Sequence, residues 1–117
     1  MATAGIYNGV MDQGATWTLT IVYENPNGTP INLTGYTGRM QLRSKFDSAA
    51  VLTLSTSNGG MTITGLTGRI DLLATATQME LIEPGIYVYD LELTSGSNIQ
   101  RLIQGQITVR AQVTANV

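Results

Sequence analysis

The sequence predicts an all-β protein, folded as a sandwich or a barrel of short strands. In residues 85–93, GIYVYDLEL, successive side chains divide into one apolar face and one more polar face, as in a strand with a single buried side. The apolar face consists of Tyr87, Tyr89, Leu91 and Leu93. Further along the sequence, three short apolar segments recur at roughly ten-residue spacing with glycine turns between them, the pattern of a sandwich or barrel.

A second long strand is predicted over residues 15–23. Its threonines oppose an apolar face that begins at Trp17. Since Trp17 keeps phase with three other apolar residues, we interpret it as a core anchor and not as a platform for a ligand. The next segment, ENPNGTP at 24–30, has the composition of a loop.

The middle of the chain is predicted to form four more strands. A strand over residues 36–45 buries Met40 and Leu42. The three short segments are 51–54, 61–64 and 69–73.

One short helix is predicted over residues 75–82. Thr77 and Glu80 have the spacing of a capping box. Pro84 follows and ends the helical turn. The helix is expected to bridge two strands at the edge of the sheets.

The last third of the chain is predicted to be a long, bent hairpin. Residues 94–98, TSGSN, supply turn chemistry, and a strand then returns to Val113. Alternation is regular after Gly105, whereas before it Leu102 and Ile103 are adjacent. A slip of phase at a glycine indicates a β-bulge or a strand that changes sheets.

Length and composition favour one domain without metal or disulfide support. A chain of 117 residues is large enough for an unaided core. We expect residues 1–14 to be an N-terminal arm or edge strand, with exchange of the arm between subunits as an alternative. Residues 15–117 are expected to form a single β-sandwich domain.

Several classes of function are disfavoured by composition. The chain has no cysteine or histidine and a net charge of -2, so common metal ligands and the commonest general base are missing. Its six basic residues are scattered, which argues against a nucleic-acid partner. With no long apolar run or leader pattern, no membrane association is expected.

No catalytic, metal or cofactor site is predicted. Asp90 and Glu92 lie two apart on one strand face, a spacing that suits acid–base work, but a solvated or cross-strand-paired patch is the favoured interpretation. Calcium near Asp12 or Asp47 remains an alternative, although no loop of alternating Asp and Asn occurs. We therefore expect no enzyme and no cofactor.

The candidate functional residues are four charged side chains on one predicted outer surface. Arg39 and Arg43 alternate with the buried residues of their strand. If that strand lies beside 85–93, they face Asp90 and Glu92. Exposed pairs contribute only about 0.2–1 kcal/mol each, so these residues are predicted to set register or to orient a partner more than to stabilise the fold. A salt-bridged solvent face is the favoured interpretation, and a docking site is the alternative.

The order of the segments resembles the N-terminal domain of bacteriophage baseplate upper proteins. The similarity spans roughly residues 15–114. The segments that carry it are LTG at 33–35, MQLR at 40–43, GRIDL at 68–72, the helix at 75–81, GIYVYDLEL at 85–93 and RLIQGQITV at 101–109.

This resemblance implies an immunoglobulin-like antiparallel β-sandwich of about 7–9 strands with one short helix. It further implies a virion protein, made in the host cytoplasm, that assembles as a homo-oligomer and joins tail, collar or fibre subunits. Because larger relatives carry a further receptor-proximal region and this chain stops at Val117, the role of an adaptor, a collar or a decoration subunit is expected in preference to direct host binding. A carbohydrate-binding β-sandwich is the alternative function.

Overall fold

The computed structural model describes residues 5–113 and shows an all-β sandwich, not a barrel. Within that range the chain forms nine strands, one α-helix and one 3-10 turn. The strands are β1 (Gly5–Ile6), β2 (Gly9–Asp12), β3 (Trp17–Val22), β4 (Thr37–Arg43), β5 (Ala50–Ser55), β6 (Met61–Thr64), β7 (Arg69–Ala74), β8 (Gly85–Ser95) and β9 (Asn98–Arg110). The 3-10 turn is Gly65–Thr67, and the helix α1 is Ala76–Glu80.

The strands form two sheets with the strand order of an immunoglobulin-type sandwich. The six-stranded sheet has the order β1-β9-β8-β4-β5, with β2 also beside β9, and the three-stranded sheet has the order β3-β7-β6. In immunoglobulin nomenclature β3-β7-β6 corresponds to B-E-D, and β5-β4-β8-β9 corresponds to C′-C-F-G. The predicted fold class is therefore confirmed.

The N-terminal strands depart from the antiparallel pairing of the other described strands. β1 and β2 run parallel to β9. Side-chain alternation has the same period of two in parallel and antiparallel strands, so the pattern of the sequence carried no information about direction.

The core lies between the sheets and is built from alternate side chains of their strands. Full burial of one such side chain contributes about 1.5–3 kcal/mol. Trp17 is only partly buried and packs against this core from β3. The large side chains with the least exposure are Met11, Met40, Leu42, Leu54, Ile70, Leu72, Met79, Ile82, Leu91, Leu93, Ile107 and Val109.

A tyrosine corner fixes the start of β8. The buried Tyr87 donates its hydroxyl to the carbonyl of Glu83, 2.5 Å away and four residues upstream. Immunoglobulin-type sandwiches place such a tyrosine near the start of the F strand, which is the position of β8 here. This hydrogen bond therefore holds the segment between α1 and β8 against the sheet.

The predicted bulge exists, but it lies at Leu102 and not at Gly105. Leu91 pairs with Ile103 and Glu92 pairs with Arg101, so Leu102 is the extra residue on β9. A bulge places two residues of one strand opposite one of its neighbour. Both members of the adjacent apolar pair can consequently turn inward, with Leu102 buried and Ile103 partly buried.

Gly105 has a different function, which is to admit the N-terminal segment. The link between β1 and β2 runs beside β9 at this glycine, where an added Cβ would lie 2.3 Å from the Tyr7 carbonyl oxygen. Tyr7 donates its backbone N–H to Gln104 at 3.0 Å, and the Asn8 side chain accepts from the Gln106 N–H at 2.9 Å. Residues 5–12 of the expected arm thus lie along the edge of the same sheet, and residues 1–4 are outside the described part of the chain.

The helix is present, but its capping box begins two residues earlier than predicted. Thr75 is the N-cap and accepts from the Gln78 N–H at 3.2 Å, while the Gln78 side chain accepts from the Thr75 N–H at 2.9 Å. Thr77 and Glu80 both lie within the helix instead. Two overlapping sequences fit the capping pattern, and the helix begins with the first of them.

Candidate functional site

The outer face of the six-stranded sheet brings the four predicted contact residues onto adjacent strands. β4 and β8 pair antiparallel, with Arg39 directly opposite Glu92 and Arg43 opposite Val88. Asp90 lies opposite Gln41 on the same face. β4 lies beside β8, as predicted.

The carboxylates on this face are nevertheless bound by an arginine outside the four predicted contact residues. Arg101 of β9 contacts Asp90 at 3.1 Å (Nε to Oδ2) and Glu92 at 3.8 Å (Nη2 to Oε2). If side chains alternated strictly along β9, counting back from the buried Ile107 would place Arg101 on the core side. The extra residue at Leu102 turns it outward, so only knowledge of the bulge position reveals this partner.

Arg43 has neutral partners instead of the expected carboxylates. Its guanidinium donates to the Ser48 carbonyl and, at 2.7 Å, to the Gln41 side-chain oxygen. Within residues 5–113, neither Arg43 nor Arg39 forms a salt bridge. Arg39 therefore faces Glu92 as predicted, but among the described residues neither arginine forms an ion pair with Asp90 or Glu92.

A groove of about 460 Å³ opens on this outer face, and we call it the outer groove. Its apolar walls are Ile6 of β1 and Phe46 of the β4–β5 loop, with Val88 between them. Its polar lining consists of Gln41, Arg43, Asp90, Arg101, Gln104 and Gln106.

Phe46 is the most solvent-exposed large apolar side chain of the outer groove. It is 88% exposed at the tip of the β4–β5 loop. Ile6, on the opposite wall, is 77% exposed. Large apolar side chains that border a groove are typical of an interaction site.

The loop that carries Phe46 is held in a fixed turn. The Ser48 hydroxyl accepts from the Lys45 N–H at 3.0 Å and donates to the Lys45 carbonyl at 2.9 Å. Arg43 contacts the Ser48 carbonyl from the groove side. The turn is therefore positioned by its own hydrogen bonds before any partner arrives.

The outer groove combines hydrogen-bonding side chains with apolar walls. Its single lining carboxylate, Asp90, is neutralised by Arg101. Amide and guanidinium groups supply directional donors and acceptors, and the apolar walls supply contact area. In the described part of the chain, no three acidic side chains converge as metal ligands would.

The remaining charged pairs lie elsewhere and are already satisfied. On the three-stranded sheet the hydrogen bond from Thr20, at 2.7 Å, and the contact with Arg69 hold the pKa of Asp71 below its usual value. Beside β9, a hydrogen bond from Arg110, at 2.7 Å, lowers the pKa of Asp12. Asp12, considered above for calcium, is thus occupied by an arginine.

Comparison with known proteins adds no assignment to this geometry. No protein-family model matches the chain, and no curated protein matches its sequence significantly. The resemblance to baseplate upper proteins stays a prediction. Across residues 5–113, no helix has the length and apolarity needed to cross a membrane.

Proposed function

We propose that this protein is a non-catalytic structural module of a bacteriophage virion that assembles with other copies and joins tail, collar or fibre subunits. One observation carries the proposal: the outer face of the six-stranded sheet exposes large apolar side chains around a groove. Besides Phe46 and Ile6, this face includes Ile86, which is 64% exposed. Its register partner on β9 is Thr108.

A protein partner is the ligand that this face suits best. Interfaces combine apolar and aromatic anchors with a polar rim, and anchors that fill a partner's pockets contribute most of the binding energy. Phe46 supplies such an anchor, and the Asp90–Arg101 pair and the glutamines of the outer groove supply polar surroundings. An attachment module needs no reacting groups on this face.

The bacteriophage part of the proposal rests on the order of segments that resembles baseplate upper proteins. The structure supplies compatible architecture, since β4, β7 and β8 coincide with three of those segments. On this proposal the protein is made in the host cytoplasm and incorporated into the tail.

The presence of this protein in purified virions tests the proposal. Virions purified from a host that produces this protein are analysed by quantitative mass spectrometry and by electron microscopy with an antibody against the chain. We expect a constant copy number per particle and label on the tail. Particles that lack the protein after purification would contradict the proposal.

A second candidate function is saccharide binding, which the composition of the outer groove favours. Gln104 and Gln106 offer paired donors and acceptors of the kind that bind hydroxyls, whereas the Gln41 side-chain oxygen already accepts from Arg43. Phe46 offers an aromatic face beside them. Calorimetric titration with soluble polysaccharides of the host cell wall tests this function. Binding at about millimolar strength or tighter that is lost in Phe46→Ala would favour it over the structural role.

A further inference from the structure

We infer that the outer groove receives the β4–β5 loop of a second copy of this chain, so that Phe46 and Asp47 of each copy enter the groove of the other. The inference rests on the proposed assembly function and names its contact surface. In this arrangement Asp47 of one copy lies against Arg43 of the other. Two such contacts are made, one on each side of a two-fold axis.

The first argument is the uncompensated charge of Arg43. Arg69, Arg101 and Arg110 each contact a carboxylate, at 3.0, 3.1 and 2.7 Å. Arg43 lies in the groove wall, is half-buried, and contacts only the Ser48 carbonyl and the Gln41 amide. A half-buried guanidinium without a carboxylate among the described residues favours an anionic group from outside.

The second argument is that the β4–β5 loop offers this anion beside an apolar anchor. Asp47 is exposed and forms no salt bridge with any of residues 5–113. It does not line the groove of its own chain, whereas its neighbour Phe46 does. The lining of the outer groove is complementary to an apolar side chain near Ile6 and Val88 and to a carboxylate near Arg43, and the dipeptide Phe46–Asp47 supplies both.

The third argument is symmetry. In a two-fold dimer the same patch serves both subunits, so residue i of one contacts residue j of the other and the reverse. The loop and the groove lie side by side on one face, which lets a single axis generate both contacts. Because the Ser48 hydrogen bonds already fix the turn, little conformational entropy is lost on docking.

Charge reversal provides a sharp test. Arg43→Glu and Asp47→Arg are made separately in the full chain, and self-association is measured by sedimentation equilibrium and by light scattering. Each variant places like charges at both contacts, so we expect its self-association to weaken by about tenfold or more. An equimolar mixture of the two variants restores opposite charges at both contacts, and we expect it to form a heterodimer as tight as the wild-type dimer.

Two controls separate the contact from general charge effects. Glu24→Arg and Glu80→Arg each reverse an exposed carboxylate that does not line the groove. We expect both to dimerise like the wild type. Thermal melts establish that each variant is folded. If Arg43→Glu disturbs the loop, Phe46→Ser, at a side chain with almost no burial to lose, serves as a second variant with the same expected loss.

Three outcomes overturn the inference. They are a wild-type protein that stays monomeric at high concentration, single variants that associate like the wild type, and a mixture that stays monomeric. If oligomers persist in both reversal variants, the groove contact is wrong while the assembly function stands. If the wild type is monomeric and saccharide binding is lost in Phe46→Ala, the groove serves a ligand and not a second copy.

Discussion

The hydroxyl of Tyr89 donates a hydrogen bond to the backbone carbonyl of Tyr7, with 2.6 Å between the two oxygens. Tyr89 is 5% exposed and belongs to the core face of β8. Its partner in the ladder is Gly105 of β9, whose missing side chain leaves room for the Tyr7 carbonyl. This bond attaches the N-terminal strands to the centre of the six-stranded sheet.

Replacement of Tyr89 by Phe is expected to lower the free energy of unfolding by about 1–2 kcal/mol. The change removes one hydrogen bond and leaves a poorly solvated carbonyl at Tyr7 without its donor. Chemical denaturation measures the loss, and hydrogen exchange at the Tyr7 amide is expected to accelerate selectively. The control Tyr87→Phe removes the bond to Glu83 instead, so it should destabilise the fold without this local change. Unaltered exchange at Tyr7 in Tyr89→Phe would show that the bond does not hold the N-terminal strands.

Gly105→Ala is expected to destabilise the protein by about 1–3 kcal/mol through overpacking. The new methyl group would meet the Tyr7 carbonyl oxygen at 2.3 Å, and backbone atoms cannot move away as a flexible side chain can. We expect β1 to detach from β9, which proteolysis near residue 8 would detect. Gly59→Ala, at a glycine with φ 81° and open space around the added atom, strains the backbone without a clash and is therefore the control for backbone strain. Equal proteolysis of the two variants would exclude the proposed clash.

Alkaline pH is expected to destabilise the fold through Tyr89. Burial, followed by the nearby Tyr7, raises the pKa of Tyr89 from 10.0 to about 12. A raised pKa means that the folded state keeps the proton longer than the unfolded state. The stabilisation is therefore complete below pH 10 and is lost as pH rises towards about 12. A two-unit shift corresponds to about 3 kcal/mol.

The measurement is the free energy of unfolding as a function of pH from 8 to 12, in wild type and in Tyr89→Phe. We expect a shallower alkaline decline in the variant. The control Tyr36→Phe, which removes a less buried hydroxyl, should keep the wild-type decline. Parallel curves for wild type and Tyr89→Phe would mean that Tyr89 does not drive alkaline unfolding.

The start of α1 can be verified with two threonine substitutions. Thr75→Ala removes the N-cap oxygen that accepts from Gln78 and is expected to cost about 1 kcal/mol. Thr77→Ala changes a position inside the helix, where alanine has the higher propensity. We expect it to be neutral or slightly stabilising. Thermal denaturation compares the two, and the reverse order would place the cap at Thr77.

Much of this fold was determined by local pattern in the sequence. The alternation that begins at Tyr87 predicted the buried face of β8, and the pair Met40 and Leu42 predicted that of β4, because in a strand the burial of a side chain depends on its parity along the chain. Turn residues likewise marked the ends of most strands. Local chemistry also indicated a helix after β7, although two overlapping capping sequences left its first residue undetermined.

Only the tertiary structure decided the composition of the outer groove. Arg101 faces outward because the extra residue at Leu102 switches the side chains that precede it in β9 to the opposite face of the sheet. The position of such a bulge depends on how two strands align. The Tyr89–Tyr7 bond joins residues 82 apart in sequence. Strand pairing likewise brings Ile6 and Phe46 into one groove with the glutamines of β9. A side-chain pattern that repeats every two residues does not encode which strands pair or in which direction they run.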